Sequence, residues 1–175
     1  MTPDFFNLSY LRIGSEVQQK GINAIEDLQV MQILRAHDPV LAGTLPLDLF
    51  TRDSDLDILC FSPDLSEIKT TWRSHYKTCE DFSLYLKRVN TIDSIIAKFK
   101  SGGFRFELFA QAIPTKQQSA YIHMVNEYKL LAQHGQSLRD KILALKQAGI
   151  KTEPAFAQAL NLPGNPYQTL LTWPS

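Results

Sequence analysis

The stretch Gly43–Phe61, GTLPLDLFTRDSDLDILCF, decides how this chain is expected to fold. Its second half places Asp55 and Asp57 one residue apart within an otherwise apolar run. Side chains alternate between the two faces of a β-strand, so we expect both carboxylates on one face and their apolar neighbours in a core. Two adjacent carboxylates repel each other unless a cation relieves the repulsion, and a divalent ion with oxygen ligands, most simply Mg²⁺ (or Mn²⁺), would do so.

The first half of the same stretch adds a phosphate-binding feature. Gly43-Thr44 follows the apolar run Val40-Leu41-Ala42, which predicts a short strand that ends at the glycine. Glycine lets the backbone come close to a ligand, while a threonine hydroxyl and nearby N–H groups can donate to phosphate oxygens. A hydroxyl that only stabilises the turn is the alternative for Thr44. Together the two halves predict a metal-and-phosphate site.

Composition limits the class of protein. The chain has 175 residues, 44% of them hydrophobic, which suits one domain over residues 1–175 with a single core. Basic and acidic residues number 18 each, so there is no strong nucleic-acid signal and any nucleotide must be bound locally. No apolar run approaches the roughly 20 residues of a membrane span, and the start carries no signal-sequence pattern. With Cys60 expected as a reduced thiol in a buried strand, we expect a soluble, cytoplasmic protein.

The remaining periodicities predict an α/β fold of the α+β type. Apolar positions recur at helical spacing over residues 15–34, with a break expected near Gly21, and Ser62 is expected to cap a helix at residues 64–75. Alternating or apolar runs predict three further strands, at residues 82–89, 92–99 and 104–109. From about residue 117 the pattern is helical, with a helix expected to end at Gly135. We therefore predict a mixed sheet of about four to five strands flanked by N-terminal and C-terminal helices.

The last of these strands contributes a third acid. Phe104–Phe109 alternates strictly, which places Arg105 and Glu107 on its polar face, and Ser101-Gly102-Gly103 before it predicts a hairpin turn. If this face lies beside the two aspartates, Glu107 supplies a third carboxylate to the same cation. An ion pair of Glu107 with Arg105 or another base is the alternative.

These residues resemble a known pattern. Gly43-Thr44 followed by Asp55-Leu56-Asp57-Ile58 resembles the signature of the polymerase-beta-like nucleotidyltransferase superfamily, where a glycine and a small hydroxyl residue precede an acid-x-acid strand. In that superfamily a third acid lies on a later strand, and Glu107 matches it. Further stretches are similar to one uncharacterised bacterial family within the superfamily, namely Pro39–Thr44, Ser54–Asp57, Ala120–Met124 and Lys151–Ala157.

The resemblance implies two-metal phosphoryl chemistry, for which several carboxylates are needed. Asp55, Asp57 and Glu107 would be both catalytic and metal-binding, with a nucleoside triphosphate as donor and an unknown hydroxyl compound as acceptor. The positions implied for nucleotide binding are Gly43, Thr44, Ser54, Arg105 and Lys151. A competing hypothesis is a non-catalytic protein that keeps the fold to bind a nucleotide or a partner. A third is a metal-dependent phosphodiesterase.

One departure from the superfamily pattern bears on activity. Active minimal members place a basic residue and a second glycine just after the glycine-hydroxyl pair, whereas this chain has Leu45-Pro46-Leu47-Asp48. Binding of a triphosphate would then need Arg52, Arg105 or Lys151 to reach in from elsewhere.

A separate titratable pair lies in the C-terminal helical part. His123 and Glu127 are four residues apart on one predicted helix, a spacing that suits a metal pair or an acid–base pair. We prefer the interpretation that they form an interhelical hydrogen bond.

Overall fold

The computed structural model describes residues 3–174, in which a five-stranded mixed sheet is flanked by helices. The strands are β1 (Val40–Ala42), β2 (Leu56–Phe61), β3 (Glu80–Val89), β4 (Ile92–Ser101) and β5 (Phe104–Gln111). The α-helices are α1 (Glu16–Asp27), α2 (Val30–Ile33), α3 (Leu65–Tyr76), α4 (Ser119–Gln147), α5 (Thr152–Leu160) and α6 (Pro166–Leu171). Short 3₁₀ helices span Leu8–Ile13, Arg35–His37 and Thr115–Gln117. The predicted fold class is confirmed.

The order of the strands is β1-β2-β5-β4-β3, with β2 and β5 parallel and every other pair antiparallel. One row of directly paired residues crosses the sheet from Ala42 to Asp57, Glu107 and Lys98. Because paired residues point to the same face, this register brings a charged side chain from each of three neighbouring strands together. Gly43 follows Ala42, so the glycine lies at the end of the same row.

Each face of the sheet has its own apolar cluster. On one face, Leu56, Ile58 and Cys60 of β2 pack with α1 and α3, and Phe99 stacks between Tyr76 and Phe106 at 4.9 and 5.0 Å. On the other face, Val40, Ala42 and Leu59 pack with α4, α5 and α6, where Met124 and Phe156 are buried. Alternation along β2 puts Asp57 on this second face, because it shares the direction of Leu59. The acids therefore face the C-terminal helices.

Two local predictions are wrong for identifiable reasons. Gly21 does not break α1, because the helix needs a residue without a side chain there; a Cβ would lie 2.5 Å from Leu45 Cδ2. The break follows instead at Gln29, whose φ is 51°. The cap of α3 is Asp64 rather than Ser62, since the Asp64 carboxylate accepts from the N–H groups of Ser66 and Glu67.

The helical C-terminal part is interrupted as predicted at Gly135, which has φ 65° and ψ −154° within α4. No helix of residues 3–174 is both long and apolar enough to span a membrane. Cys60 is buried in β2 as a free thiol, as expected.

Candidate active site

Asp57 and Glu107 stand side by side on the parallel strands β2 and β5. Asp55 lies two residues earlier on the same side of the chain as Asp57, and it accepts a hydrogen bond from Arg105 Nε at 2.6 Å. All three acids line one cleft of about 740 Å³ between the sheet and the C-terminal helices. The sequence-predicted acids are thus brought to one place by strand alternation and by the β2–β5 register.

Gly43 is in direct contact with the central acid. Its φ is +71°, and a Cβ added there would lie 2.2 Å from Asp57 Oδ2. Only glycine avoids both the strain of the left-handed conformation and this clash. The glycine of the signature is therefore needed to seat Asp57, in addition to any approach of a ligand to the backbone.

Thr44 lines the cleft beside Gly43, and its side-chain hydroxyl is buried. Thr44 Oγ1 has no hydrogen-bond partner within the described part of the chain. A buried hydroxyl without a partner carries a free-energy cost, which a ligand acceptor at this position would remove.

The loop after Thr44 is anchored to the core. Leu45, Leu47 and Leu49 are fully buried. Gln18 Nε2 of α1 donates to the Leu45 carbonyl at 2.9 Å, and Arg139 of α4 donates to the carbonyls of Leu47 and Asp48. The departure from the superfamily pattern therefore has a structural explanation, since these positions hold the loop.

Two basic side chains form ion pairs with two of the acids. Lys98 Nζ lies 2.5 Å from Glu107 Oε2, and Arg105 bonds to Asp55 and to the Ser54 carbonyl. Among residues 3–174, no three His, Cys, Asp or Glu side chains converge into a group that could hold a metal ion as they stand. The resting site is thus a row of ion pairs, with Asp57 as the acid to which neither base is bonded.

The pKa of Asp57 reflects the absence of a bonded basic partner. Burial is the largest cause, and the charges of Glu107 and Asp55 add to it, so that the pKa of Asp57 is raised well above its usual range. Lys98 opposes the shift without cancelling it. A cation bound between these carboxylates would reverse the effect.

The other predicted nucleotide-binding residues differ in position. Ser54 lines the cleft, although its hydroxyl already accepts from the Thr51 N–H at 3.0 Å. Lys151 is exposed at the start of α5 and also lines the cleft, so it can reach a ligand there. The Arg52 side chain has an exposed fraction of 96%, and its Nε lies 4.0 Å from Asp53 Oδ1. Arg52 does not line the cleft.

A second polar group lines the helical wall of the cleft. His123 of α4 contacts Glu153 of α5 through Nδ1 at 3.3 Å and the Tyr167 carbonyl through Nε2 at 2.9 Å. Burial lowers the pKa of His123, but these two acceptors outweigh it and the net shift is upward. Burial likewise raises the pKa of Glu153, and its bond with His123 reverses the shift to a net lowering. The interhelical hydrogen bond predicted for His123 is confirmed.

Glu127 does not share that bond, so the same prediction is wrong for it. Its side chain is 3% exposed, and no hydrogen bond or ion pair joins it to another of the described residues. Burial, followed by the nearby charge of Glu153, raises the pKa of Glu127 to about 8. Lys146 acts on Glu127 only at longer range, because its Nζ donates to Thr152 Oγ1 at 3.0 Å.

Lys98 and Lys146 are site residues that the sequence interpretation missed. Lys98 could have been found, because a two-residue turn at Gly102–Gly103 sets the β4–β5 register and places Lys98 opposite Glu107. No sequence signal marks Lys146, since its position depends on how α4 and α5 pack.

Solved structures with a similar fold share this arrangement of sheet and helices. The chain is similar to a crystal structure of the Cid1 poly(U) polymerase with MgGTP bound, with a TM-score of 0.55 and 14% identity over 81% of this chain and 48% of that one. It is also similar to the structure of a cytoplasmic RNA terminal U-transferase, with a TM-score of 0.50 and 17% identity over 75% of this chain and 39% of that one. At these identities the likeness shows the fold alone, and the chain spans about half the length of these proteins or less. The chain therefore has a fold similar to that of these two proteins.

Residues 23–173 match the family model described as Domain of unknown function (DUF4269). The chain belongs to that family. None of the curated proteins matches it.

Proposed function

We propose that this protein is a metal-dependent nucleotidyltransferase that transfers a nucleoside monophosphate from a nucleoside triphosphate to a hydroxyl acceptor. The observation that carries the proposal is the setting of Asp57. Its carboxylate lies against Gly43 and beside Glu107, and it lacks the basic partner that each of the other two acids has.

The residues present fit a hard divalent cation such as Mg²⁺ or Mn²⁺. Asp55, Asp57 and Glu107 offer the carboxylate oxygens that such ions prefer, and Asp57 lacks compensating positive charge. To hold such an ion together, Asp55 and Glu107 would have to give up their present partners, Arg105 and Lys98. When bound, the ion neutralises phosphate charge and favours ionisation of the attacking hydroxyl.

The chain's own groups have separate tasks in the reaction. Gly43 and the Thr44 hydroxyl hold phosphate oxygens, while Lys98 and Arg105, once released from the acids, supply positive charge where a base following Gly43-Thr44 is absent. The acceptor oxygen bonds to the α-phosphorus, the bond from that phosphorus to the bridging oxygen breaks, and pyrophosphate leaves. One of the three carboxylates takes the proton of the acceptor hydroxyl.

Thermal shift and calorimetry with ATP, GTP and CTP, each with and without Mg²⁺ or Mn²⁺, test this proposal. We expect stabilisation that needs both nucleotide and metal, and its loss in Asp55→Asn and Asp57→Asn. Asp27→Asn is the matched control, because Asp27 is exposed on α1 and does not line the cleft. Incubation with labelled nucleoside triphosphates and a cell extract should then give a labelled product.

A non-catalytic nucleotide-binding protein is the second candidate. The burial of Leu45 and Leu47 favours it, because the usual phosphate-holding loop is used for packing here. Nucleotide binding that is independent of metal, and unchanged in Asp57→Asn, would support this candidate and contradict the first.

A further inference from the structure

Glu127 is the most deeply buried carboxyl group that lines the cleft and has no bonded partner. It lies on α4, on the wall of the cleft opposite Asp55, Asp57 and Glu107, and it is 3% exposed. Among residues 3–174, no hydrogen bond or ion pair joins its carboxyl oxygens to another residue, and these oxygens are open to the cleft. A buried polar group is normally paired, so an unpaired one that faces a cleft marks a place where a ligand can supply the partner.

The charged groups near Glu127 are bonded to other residues and not to Glu127. His123, on the same helix, is committed to Glu153 and to the Tyr167 carbonyl. Lys146 of α4 is committed to Thr152 Oγ1 and has no carboxylate within ion-pair distance in the described structure. Lys146 is the cation that opposes a positively charged ligand, and Glu153 of α5 is the anion that favours one.

Most of the carboxyl groups that line the cleft already have a partner. Six carboxyl groups line it among the described residues, and four of them form ion pairs or contacts with Arg52, Arg105, Lys98 and His123. The six are Asp53, Asp55, Asp57, Glu107, Glu127 and Glu153. A nucleotide with its metal ions would bind to the acids on the strand side of the cleft, and the acids on the helical wall would remain free for another ligand. On the helical wall Glu127 is the carboxyl group left without a partner, and a positively charged second ligand can supply one.

We propose that the helical wall is a subsite for a ligand bearing a primary ammonium group, with Glu127 as the carboxylate that pairs with it. The ammonium donates to the Glu127 carboxylate, and Glu153 contributes attraction at longer range. The inference rests on the proposed function in one respect, because it assigns the amine-bearing ligand as the acceptor in nucleotidyl transfer. Binding of the amine itself requires no nucleotide.

Pairing with an ammonium changes the protonation of Glu127. With its pKa at about 8, Glu127 is about nine-tenths protonated at pH 7, and a bound ammonium stabilises the ionised form. The proton leaves Glu127 for the buffer as the ammonium binds. Binding should therefore release close to one proton per ligand near pH 7.

The test is calorimetric titration of the full chain at pH 7 with cadaverine and with pentanediol, which replaces both ammonium groups by hydroxyls. No nucleotide or metal is present, and each titration is run in PIPES and in HEPES so that proton release is measured. We expect cadaverine to bind at least about tenfold more tightly than pentanediol, with close to one proton released. Equal affinity for the two probes, or no proton release from the wild-type chain, would overturn the proposal.

Variants assign the effect to Glu127. Glu127→Gln should lose the preference for cadaverine and the proton release, while Glu67→Gln should keep both, because Glu67 is exposed on α3 and outside the cleft lining. A preference retained in Glu127→Gln would refute the assignment. Should cadaverine bind as expected while ATP with Mg²⁺ gives no stabilisation, the amine subsite stands and the nucleotidyltransferase proposal fails, so the two are tested separately.

Discussion

Gly43→Ala is the substitution that tests the geometry of the site most directly. Gly43 has φ +71°, and the new Cβ would lie 2.2 Å from Asp57 Oδ2 and 3.2 Å from Asp57 Cγ. The left-handed conformation costs a residue with a Cβ about 1 kcal/mol, and displacing a packed side chain costs about 1–3 kcal/mol more. We therefore expect a loss of about 2–4 kcal/mol in the free energy of unfolding, or a fall in Tm of about 5–15 °C.

Gly103→Ala provides a matched control for backbone strain. Gly103 has φ +80° in the turn between β4 and β5, and a Cβ there would meet nothing within 4 Å. It should cost about 1 kcal/mol, so the difference between the two variants isolates the contact with Asp57. Urea unfolding followed by the fluorescence of the buried Trp72 measures both. The reasoning is refuted if Gly43→Ala is no more destabilising than Gly103→Ala, or if it keeps metal-dependent nucleotide binding.

Three further outcomes can be measured on purified variants. Thr44→Val should raise the free energy of unfolding by about 0.5–1.5 kcal/mol, because it removes a buried hydroxyl without a partner, and should weaken nucleotide binding; a destabilised variant in urea unfolding would contradict this. Lys98→Met should change stability by less than about 1 kcal/mol, since its ion pair with Glu107 is partly exposed, and should tighten Mn²⁺ binding about three- to tenfold because Glu107 is freed. Electron paramagnetic resonance of free Mn²⁺ checks that affinity, and an unchanged value would count against a metal site at Glu107. Because burial raises the pKa of Glu127 from 4.5 to about 8, the folded chain retains a proton that the unfolded chain loses, and stability should fall as pH rises across this window. Glu127→Gln should show a smaller fall in a series of melting temperatures, and equal slopes would exclude the shift.

The three acids Asp55, Asp57 and Glu107 show which parts of the site depend on local sequence. Alternation along a strand is a local property, so Asp55 and Asp57 on one face, and Glu107 on the polar face of β5, could be predicted. The pairing of Asp57 with Glu107 could only be supposed, because β2 and β5 are far apart in sequence and their parallel register is set by the packing of the whole sheet.

The ion pairs were predicted only in part. The alternative of an ion pair between Glu107 and another base is the one observed, with Lys98, whereas the pairing of Asp55 with Arg105 was not predicted. Arg105 was considered as a partner for Glu107, but it bonds to Asp55 across the β2–β5 pair. The acid with which a base pairs depends on the distances between strands. Residue spacing along one strand does not determine these distances.

Sequence alone determined the fold class, the position of the acid-x-acid strand and the glycine that precedes it, because each follows from periodicity or from the conformational freedom of one residue type. Tertiary structure decided that Gly43 seats Asp57, that the loop after Thr44 is used for packing, and that Glu127 faces a cleft without a partner. Those features depend on contacts between residues that are distant in the chain, and no local sequence pattern determines such contacts.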